Sequence, residues 1–281
     1  MGIVALEAAS VARTMRGTTI RENNLISPSR RVILLGASNL TRGISTAVET
    51  AKTIWGTPLD VMSALGHGRS YGKTQRVLGR TLPAIIECGL WQDLDNRPRA
   101  DTASLITDVG NDLLFGVSPQ RVVEWVDQCL ERLASVSQSL VITELPLINL
   151  AKLTSSRFRL FRTILFPACR MTLLETVKAA EDLNDGLLEL ANRYRAQVVR
   201  PDGAWYGFDP IHIKMRHWPT AWAQIMQPWS QQALRTSAKR SFFRWIWLRS
   251  LTPHYRQLFG FNQRKTQPAA VFADRSRISL Y

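Results

Sequence analysis

Residues 32–40 read Val32-Ile33-Leu34-Leu35-Gly36-Ala37-Ser38-Asn39-Leu40. The branched apolar run that ends at the glycine is typical of a strand buried on both faces of a parallel sheet. Apolar residues then recur at helical spacing from Ile44 to Ile54, so a helix is predicted to follow this strand. A serine at such a turn exposes its hydroxyl, and its backbone N–H can help to bind an oxyanion. Taken alone, Ser38 is more simply a helix N-cap.

Strand and helix signals keep alternating along the chain. Further strands are predicted at 59–64, 103–109, 140–143 and 197–199, and helices near 81–91, 119–133, 171–194 and 217–236. This alternation predicts a three-layer α/β/α sandwich around a parallel sheet of about five strands. In such folds the active site is expected at the carboxyl ends of the strands.

Composition and charge divide the chain into unlike parts. It has 281 residues, 45% of them apolar and 21% charged, which indicates a globular protein. The formal charge is +14, and up to residue 212 there are 24 basic and 21 acidic residues, against 12 and one after it. We therefore predict an irregular leader (1–30), one domain (31–237) and a basic, aromatic C-terminal extension (238–281). Nucleic acid is not an expected partner, because such binders are usually basic throughout.

The cysteines and the hydropathy pattern exclude several classes of protein. The three cysteines, Cys88, Cys129 and Cys169, form no CxxC pair, so neither a disulfide framework nor a zinc site is expected. No cofactor or metal is predicted. The chain also has no uncharged apolar run of 18 residues and no clear secretory signal, so a cytoplasmic location is predicted.

Polar motifs follow three of the other predicted strands. Gly66-His67-Gly68-Arg69-Ser70-Tyr71-Gly72-Lys73-Thr74 does not have the glycine spacing of a phosphate loop, so it is either a tight turn or a source of a backbone N–H donor. Gly110-Asn111-Asp112 is either a turn or a loop that aims the Asn111 amide into the site. In Asp209-Pro210-Ile211-His212 the aspartate can orient a histidine base, although a capped loop would have the same residues.

The four motifs together resemble the SGNH hydrolases, also called the GDSL esterase/lipase superfamily. That family carries Ser, Gly, Asn and His in four blocks in this order, and the resemblance covers roughly 31–236. Ala37 stands where the family often has Asp, and Ala64 stands where an Asn often precedes the block-two glycine. The crowded glycines leave Gly66 and Gly68 as alternatives for that block.

The resemblance implies a serine esterase that hydrolyses or transfers an acyl group from a small-molecule ester through an acyl-enzyme. Ser38 would be the nucleophile, His212 the base and Asp209 its orienting acid. Ser38, Gly66 and Asn111 would form the oxyanion hole. The alternatives are a catalytically silent binding protein of this fold, or a binder of anionic membrane or nucleic acid through the basic tail. Membrane association is suggested by the mixture of arginines and aromatic residues at 239–249, although the same helix could simply pack on the domain.

Overall fold

The computed structural model describes residues 28–77, 79–230, 238 and 241–281. Most of the predicted leader therefore lies outside the described residues. The strands of the described part are β1 (Arg30–Leu35), β2 (Leu59–Ala64), β3 (Gln75–Val77), β4 (Arg80–Leu82), β5 (Asp101–Ile106), β6 (Ser139–Thr143), β7 (Gln197–Val199), β8 (Tyr255–Leu258), β9 (Phe261–Arg264), β10 (Ala270–Val271) and β11 (Arg277–Leu280). Its α-helices are α1 (Ser38–Trp55), α2 (Leu90–Asp95), α3 (Asn111–Leu114), α4 (Pro119–Ala134), α5 (Leu147–Ala151), α6 (Ser155–Leu165), α7 (Leu173–Tyr194), α8 (Trp218–Met226) and α9 (Phe242–Ser250).

The central sheet has seven strands in the order β10-β11-β2-β1-β5-β6-β7. All neighbours in it pair in parallel except β10 and β11. The five predicted strands are five consecutive members of this sheet, which confirms the predicted fold class. A second sheet, β3-β4-β8-β9, is antiparallel and joins the loop after β2 to the C-terminal residues.

Helices cover both faces of the central sheet, because alternate residues of each strand point to opposite sides. Ile33 and Leu35 of β1 belong to a core that also contains apolar residues of α4 and α7. Val32 and Leu34 belong to a second core, shared with α1 and α8. The sheet is therefore the middle layer of a three-layer sandwich, and its strand ends form one edge at which loops gather.

Three predicted elements differ from the structure. No helix spans 81–91, because Pro83 interrupts it: β4 ends at Leu82, a 3-10 turn covers Ile85–Glu87, and α2 begins only at Leu90. The predicted strand at 103–109 ends already at Ile106. The predicted helix at 217–236 is α8 followed by a 3-10 turn at Gln227–Trp229, and its last residues, 231–236, are not described.

The residues of the predicted C-terminal extension contribute to both sheets. β11 pairs in parallel with β2, from Arg277 beside Asp60 to Leu280 beside Ser63. The Tyr281 backbone N–H continues the contact by donating to the Ser63 carbonyl oxygen at 2.9 Å. The end of the chain therefore forms part of the main hydrophobic core.

In the described part of the chain, no helix combines the length and the apolar character that crossing a bilayer requires.

Candidate active site

Ser38 is the first residue of α1 and lies three residues after the end of β1. The turn between them is tight: Gly36 donates its N–H to the Ala64 carbonyl oxygen at 3.0 Å. A Cβ at Gly36 would come within 2.8 Å of the Thr107 side chain, so the turn requires glycine. Ser38 is thereby held at the carboxyl edge of the sheet with only 8% of its surface exposed.

Ser38, His212 and Asp209 form a hydrogen-bonded chain. The distance from Ser38 Oγ to His212 Nε2 is 2.9 Å. The distance from His212 Nδ1 to Asp209 Oδ2 is 2.6 Å. The first contact joins Ser38 to a histidine 174 positions further along the chain. The second lies within the local Asp-x-x-His turn. The geometry fits a serine whose proton can pass to an imidazole that a carboxylate orients.

The loop around Asp209 holds this carboxylate in place. Its Oδ1 accepts the N–H groups of Ile211 and His212, each at 3.2 Å. Arg42 Nη1 lies 3.8 Å from Oδ2. Burial alone would raise the pKa of Asp209, but the hydrogen bonds from His212 and from the Ile211 and His212 backbone outweigh it and lower that pKa. Asp209 is therefore an ionised acceptor for the His212 ring N–H.

Sequence reasoning missed two residues that connect the serine turn to the histidine loop. Asp108 Oδ2 accepts the N–H groups of Ala37 at 3.0 Å and Leu40 at 3.1 Å. Asn39 Nδ2 donates to Asp108 Oδ1 at 2.8 Å and to the Ile211 carbonyl oxygen at 2.9 Å. The Asn39 amide oxygen also accepts the N–H of residue 213 at 2.8 Å. Asn39 and Asp108 therefore hold Ser38 and His212 in register.

Asp108 caps α1 from the loop after β5, a segment that is distant in sequence. Its φ of 59° lies in the left-handed region, which aspartate tolerates better than most residues. The carboxylate satisfies the N–H groups of Ala37 and Leu40, and a negative charge is favourable at a helix N-terminus. A sequence signal for this residue exists, because Asp108 closely follows the apolar residues of β5. The predicted strand at 103–109 includes Asp108 and therefore assigns it no separate role.

Asn111, which the sequence predicts as an oxyanion donor, lies in the cleft beside Ser38. It is the first residue of α3 and lines the same cleft as Ser38. Its side-chain Nδ2 is buried and has no hydrogen-bond partner among the described residues. A buried amide without a partner costs stability, so this NH₂ group is a donor available to a bound ligand.

The structure does not bring the predicted block-two glycine into this cleft. Gly66 is buried two residues after β2, and a Cβ there would come within 2.4 Å of Leu82 Cδ1. Gly68 has a φ of 61°, a conformation that favours glycine. Neither glycine lines the cleft beside Ser38. The roles of both therefore stay predictions.

The cleft beside Ser38 is mainly apolar and encloses about 810 Å³ including its mouth. It lies on the side of β1 where β5 and β6 end, and we name it the apolar cleft. Its apolar lining residues are Val109, Leu113, Leu114, Leu145, Pro146, Leu150, Ala180, Pro201, Trp205, Tyr206, Ile211, Ile213 and Ile225. Hydrocarbon parts of a ligand would gain free energy by leaving water for such a surface.

Within the described residues, no group of three or more His, Cys, Asp and Glu side chains is arranged to hold a metal ion. The structure also assigns simple roles to two of the cysteines: burial raises the pKa of the Cys88 and Cys129 thiols, so both stay protonated.

Comparison with known proteins gives matches to solved structures only. No protein-family model matches the chain, and no curated protein matches it. Similar structures include TesA, at 11% identity over 73% of this chain and 100% of that one, with a TM-score of 0.47. A member of the lipolytic G-D-S-L family from Veillonella parvula has 13% identity over 70% and 97%, with a TM-score of 0.44. AlinE4, an SGNH-hydrolase family esterase, has 19% identity over 60% and 75%, with a TM-score of 0.40.

SGNH-hydrolase and GDSL lipolytic structures are thus among the proteins that this chain resembles, as the four motifs predict. At 11–19% identity the likeness concerns the fold alone. The chemistry of the site has to be argued from its own geometry.

Proposed function

We propose that this protein is a serine hydrolase that cleaves carboxylic esters, or transfers their acyl group, through an acyl-enzyme. The observation that carries the proposal is the chain of hydrogen bonds from Ser38 through His212 to Asp209, with distances of 2.9 Å and 2.6 Å. The apolar cleft beside Ser38 supports it, because it offers space for the apolar part of an ester.

In the proposed reaction, Ser38, His212 and Asp209 act in both halves: formation of the acyl-enzyme and its breakdown. His212 Nε2 takes the proton of Ser38 Oγ as the oxygen attacks the ester carbonyl. Asp209 holds the ring in the tautomer that leaves Nε2 free to accept. The Ser38 N–H and the unpartnered Asn111 amide stabilise the oxyanion. His212 then protonates the leaving alkoxide, and water or another acceptor removes the acyl group by the same steps in reverse.

Hydrolysis of p-nitrophenyl acetate by the full-length chain tests the proposal. Ser38→Ala should lower kcat by roughly a million-fold, as the loss of other triad serines does. Ser155→Ala is the matched control, because Ser155 is also the first residue of a helix but is exposed and outside the cleft. If wild type has no activity while it is folded, the protein is a silent binding protein instead. If Ser38→Ala retains substantial turnover, the nucleophile is misassigned.

A second candidate function, binding to anionic membranes, is favoured by the two faces of α9. Leu248 is buried on the domain core, and the Trp245 indole donates to the Arg42 carbonyl oxygen at 2.7 Å. On the other side Phe242 and Phe243 are 67% and 84% exposed. Aromatic side chains that face water next to basic residues suit the surface of an anionic bilayer.

Vesicles that contain phosphatidylglycerol test this second candidate. Phe243→Ser should weaken binding at least about tenfold, since burying a phenyl group contributes roughly 1.5–3 kcal/mol. Leu174→Ser is the control, because Leu174 is 79% exposed but lies on α7, across the sheet from α9. Equal binding by all three proteins, or none by wild type, contradicts a membrane role of α9.

A further inference from the structure

A second cavity lies one helical turn from Ser38, on the other side of β1 from the apolar cleft. Thr41 of α1 and Leu65, which follows β2 directly, form part of its wall. Further lining residues lie on α1, in the loop after β2, on β4 and β8, at the C-terminal end of α9 and just after it, and at β11 and Tyr281. In the sheet order β11-β2-β1-β5-β6, the two cavities therefore flank the strand that carries the serine turn. The second cavity encloses about 590 Å³ including its mouth.

Three arginines are the charged side chains of the lining of this cavity, so we name it the arginine cavity. It contains Arg80, Arg249, Arg256 and His67. No Asp or Glu is among its lining residues in the described part of the chain. The three arginine side chains therefore have no Asp or Glu side chain beside them in the cavity wall.

The hydrogen bonds of these arginines leave most of their N–H groups free. Arg256 Nε donates to Gln263 Oε1 at 2.7 Å. Arg249 Nη2 lies 3.4 Å from His67 Nε2 and its guanidinium stacks 4.6 Å from the Trp245 ring. Arg80, half-buried on β4, has no hydrogen-bond acceptor among the described residues. The Arg80 N–H groups are therefore free to donate to an anion that enters the cavity.

The positive charges of the arginines also lower the pKa values of two lining residues, His67 and Arg80. Burial lowers the pKa of His67 to about 4, and the charges of Arg80 and Arg249 add to this effect. His212 contributes to the same shift, which places the cavity within electrostatic range of the candidate triad. Burial also lowers the pKa of Arg80, followed by the charges of Arg256 and its other arginine neighbours. His67 is therefore neutral at pH 7, while the arginines remain charged.

Phosphate is the anion that best fits this arrangement. Guanidinium groups bind phosphate oxygens through pairs of parallel hydrogen bonds, and each further arginine can use another oxygen. A carboxylate can contact three guanidiniums, as Asp60 does elsewhere in this chain, but it offsets only one of their three charges. A phosphate monoester carries nearly two charges at pH 7 and three free oxygens.

We propose that the arginine cavity binds a phosphate group on the alcohol part of the substrate, while the apolar cleft holds the acyl part. This inference rests on the proposed ester hydrolysis. Ser38 lines only the apolar cleft, and Thr41, one turn further along α1, lines the arginine cavity, so an ester bound at Ser38 would reach past Thr41 to place its phosphate there. The substrate class is then an acyl ester of a phosphorylated alcohol.

Calorimetric titration of the full-length protein with inorganic phosphate tests the binding step without catalysis. Arg80→Gln should weaken binding at least tenfold. Arg76→Gln is the matched control, because Arg76 is exposed on the same β-hairpin and outside the cavity, and it should bind as wild type does. Arg249→Gln, on the exposed end of α9, repeats the test if Arg80→Gln does not fold. No binding by wild type, or an equal loss in Arg76→Gln, overturns the proposal.

A pair of esters distinguishes the phosphate of a substrate from free phosphate. We expect wild type to cleave acetylglycerol phosphate with a kcat/KM at least tenfold above that for acetylglycerol. Arg80→Gln should bring this ratio close to one, and Arg76→Gln should preserve it. If wild type hydrolyses both esters equally, the phosphate inference fails while the proposed hydrolase stands. If phosphate binds but neither these esters nor p-nitrophenyl acetate is hydrolysed, the hydrolase proposal fails, and with it the assignment of a substrate.

Discussion

At the scale of single residues, the candidate site is held together by groups that take no part in the proposed reaction. Asp108 and Asn39 connect the turn that carries Ser38 to the loop that carries His212 through four hydrogen bonds of 2.8–3.1 Å. In a fifth hydrogen bond, the N–H of residue 213 donates to the Asn39 amide oxygen at 2.8 Å. Because small displacements of reacting groups are expensive, these positioning residues should affect turnover.

Replacement of Asp108 tests that positioning role. Asp108→Asn retains the size of the side chain and tolerates the left-handed backbone, but its NH₂ group faces an N–H donor in either orientation: the Asn39 amide, or the Ala37 and Leu40 backbone. We expect kcat to fall by about ten- to a hundredfold with little change in KM. Asp101→Asn, at the exposed start of β5, the strand that precedes Asp108, is the control. A large rise in KM at constant kcat would make Asp108 a substrate-binding residue instead.

Asn111 should act on the transition state. Because its Nδ2 has no partner in the described protein, Asn111→Ala removes a donor without breaking an existing bond. We expect kcat to fall by roughly a hundred- to a thousandfold, and KM to change little. Steady-state kinetics with p-nitrophenyl acetate provides the measurement. Unchanged kcat would exclude Asn111 from the oxyanion hole.

At the scale of elements, the short helix α3 is held by a buried carboxylate. Asp112 accepts the Ser70 hydroxyl and, at 2.9 Å, the Tyr71 N–H, so it connects α3 to the loop after β2. Burial raises the pKa of Asp112 to about 6, although both hydrogen bonds lower it in part. The same loop leads into the hairpin that lines the arginine cavity. This carboxylate therefore joins two segments that border the site.

The raised pKa of Asp112 predicts a specific dependence of stability on pH. Below pH 3.8 the carboxyl is protonated in both states, and above about pH 6 it is ionised in both. Between these values only the unfolded chain loses the proton, so this group makes the fold less stable as pH rises. Each pKa unit corresponds to 1.36 kcal/mol, so the contribution of Asp112 to the free energy of unfolding falls by on the order of 3 kcal/mol over this interval.

Urea unfolding of wild type and Asp112→Asn measures this contribution. The free energy of unfolding of wild type, minus that of the variant, should increase as pH falls from 7 to 4.5. The difference removes the titration of all other groups that the two proteins share. A difference that stays constant over this range would show that Asp112 titrates at an ordinary value.

At the scale of the whole molecule, one buried carboxylate connects distant parts of the chain. Asp60 on β2 contacts Arg31 Nε at 3.1 Å, Arg97 Nη1 at 2.6 Å and Arg277 Nε at 2.9 Å. Burial would raise the pKa of Asp60, but the hydrogen bond from Arg277 and the charges of the three arginines lower it. Through Arg277 this cluster holds β11, and so the end of the chain, on the central sheet.

Asp60→Asn should therefore destabilise the whole fold. The change leaves three guanidiniums without their shared carboxylate, and we expect a loss of about 3–5 kcal/mol in the free energy of unfolding. Because the folded pKa lies below 3.8, this stabilisation is complete at neutral pH and is lost as pH falls through the folded value. Asp95→Asn, at an exposed carboxylate on α2, is the control. Equal stability of the two variants in urea would contradict the role of the cluster.

The local pattern of the chain was sufficient to locate the five parallel strands. It also singled out Ser38 and the Asp209-His212 turn, which the structure brings into hydrogen-bond contact and whose catalytic roles stay predictions. Buried strands and the turns after them have short-range signatures, and parallel strands bring those turns to one edge. The tertiary structure alone revealed Asp108 and Asn39, the arginine cavity and the place of β11 beside β2. A strand of four residues has too short a pattern to predict its partner 217 positions away. The position of a capping carboxylate, or of three arginines around one cavity, depends on long-range contacts that periodicity does not encode.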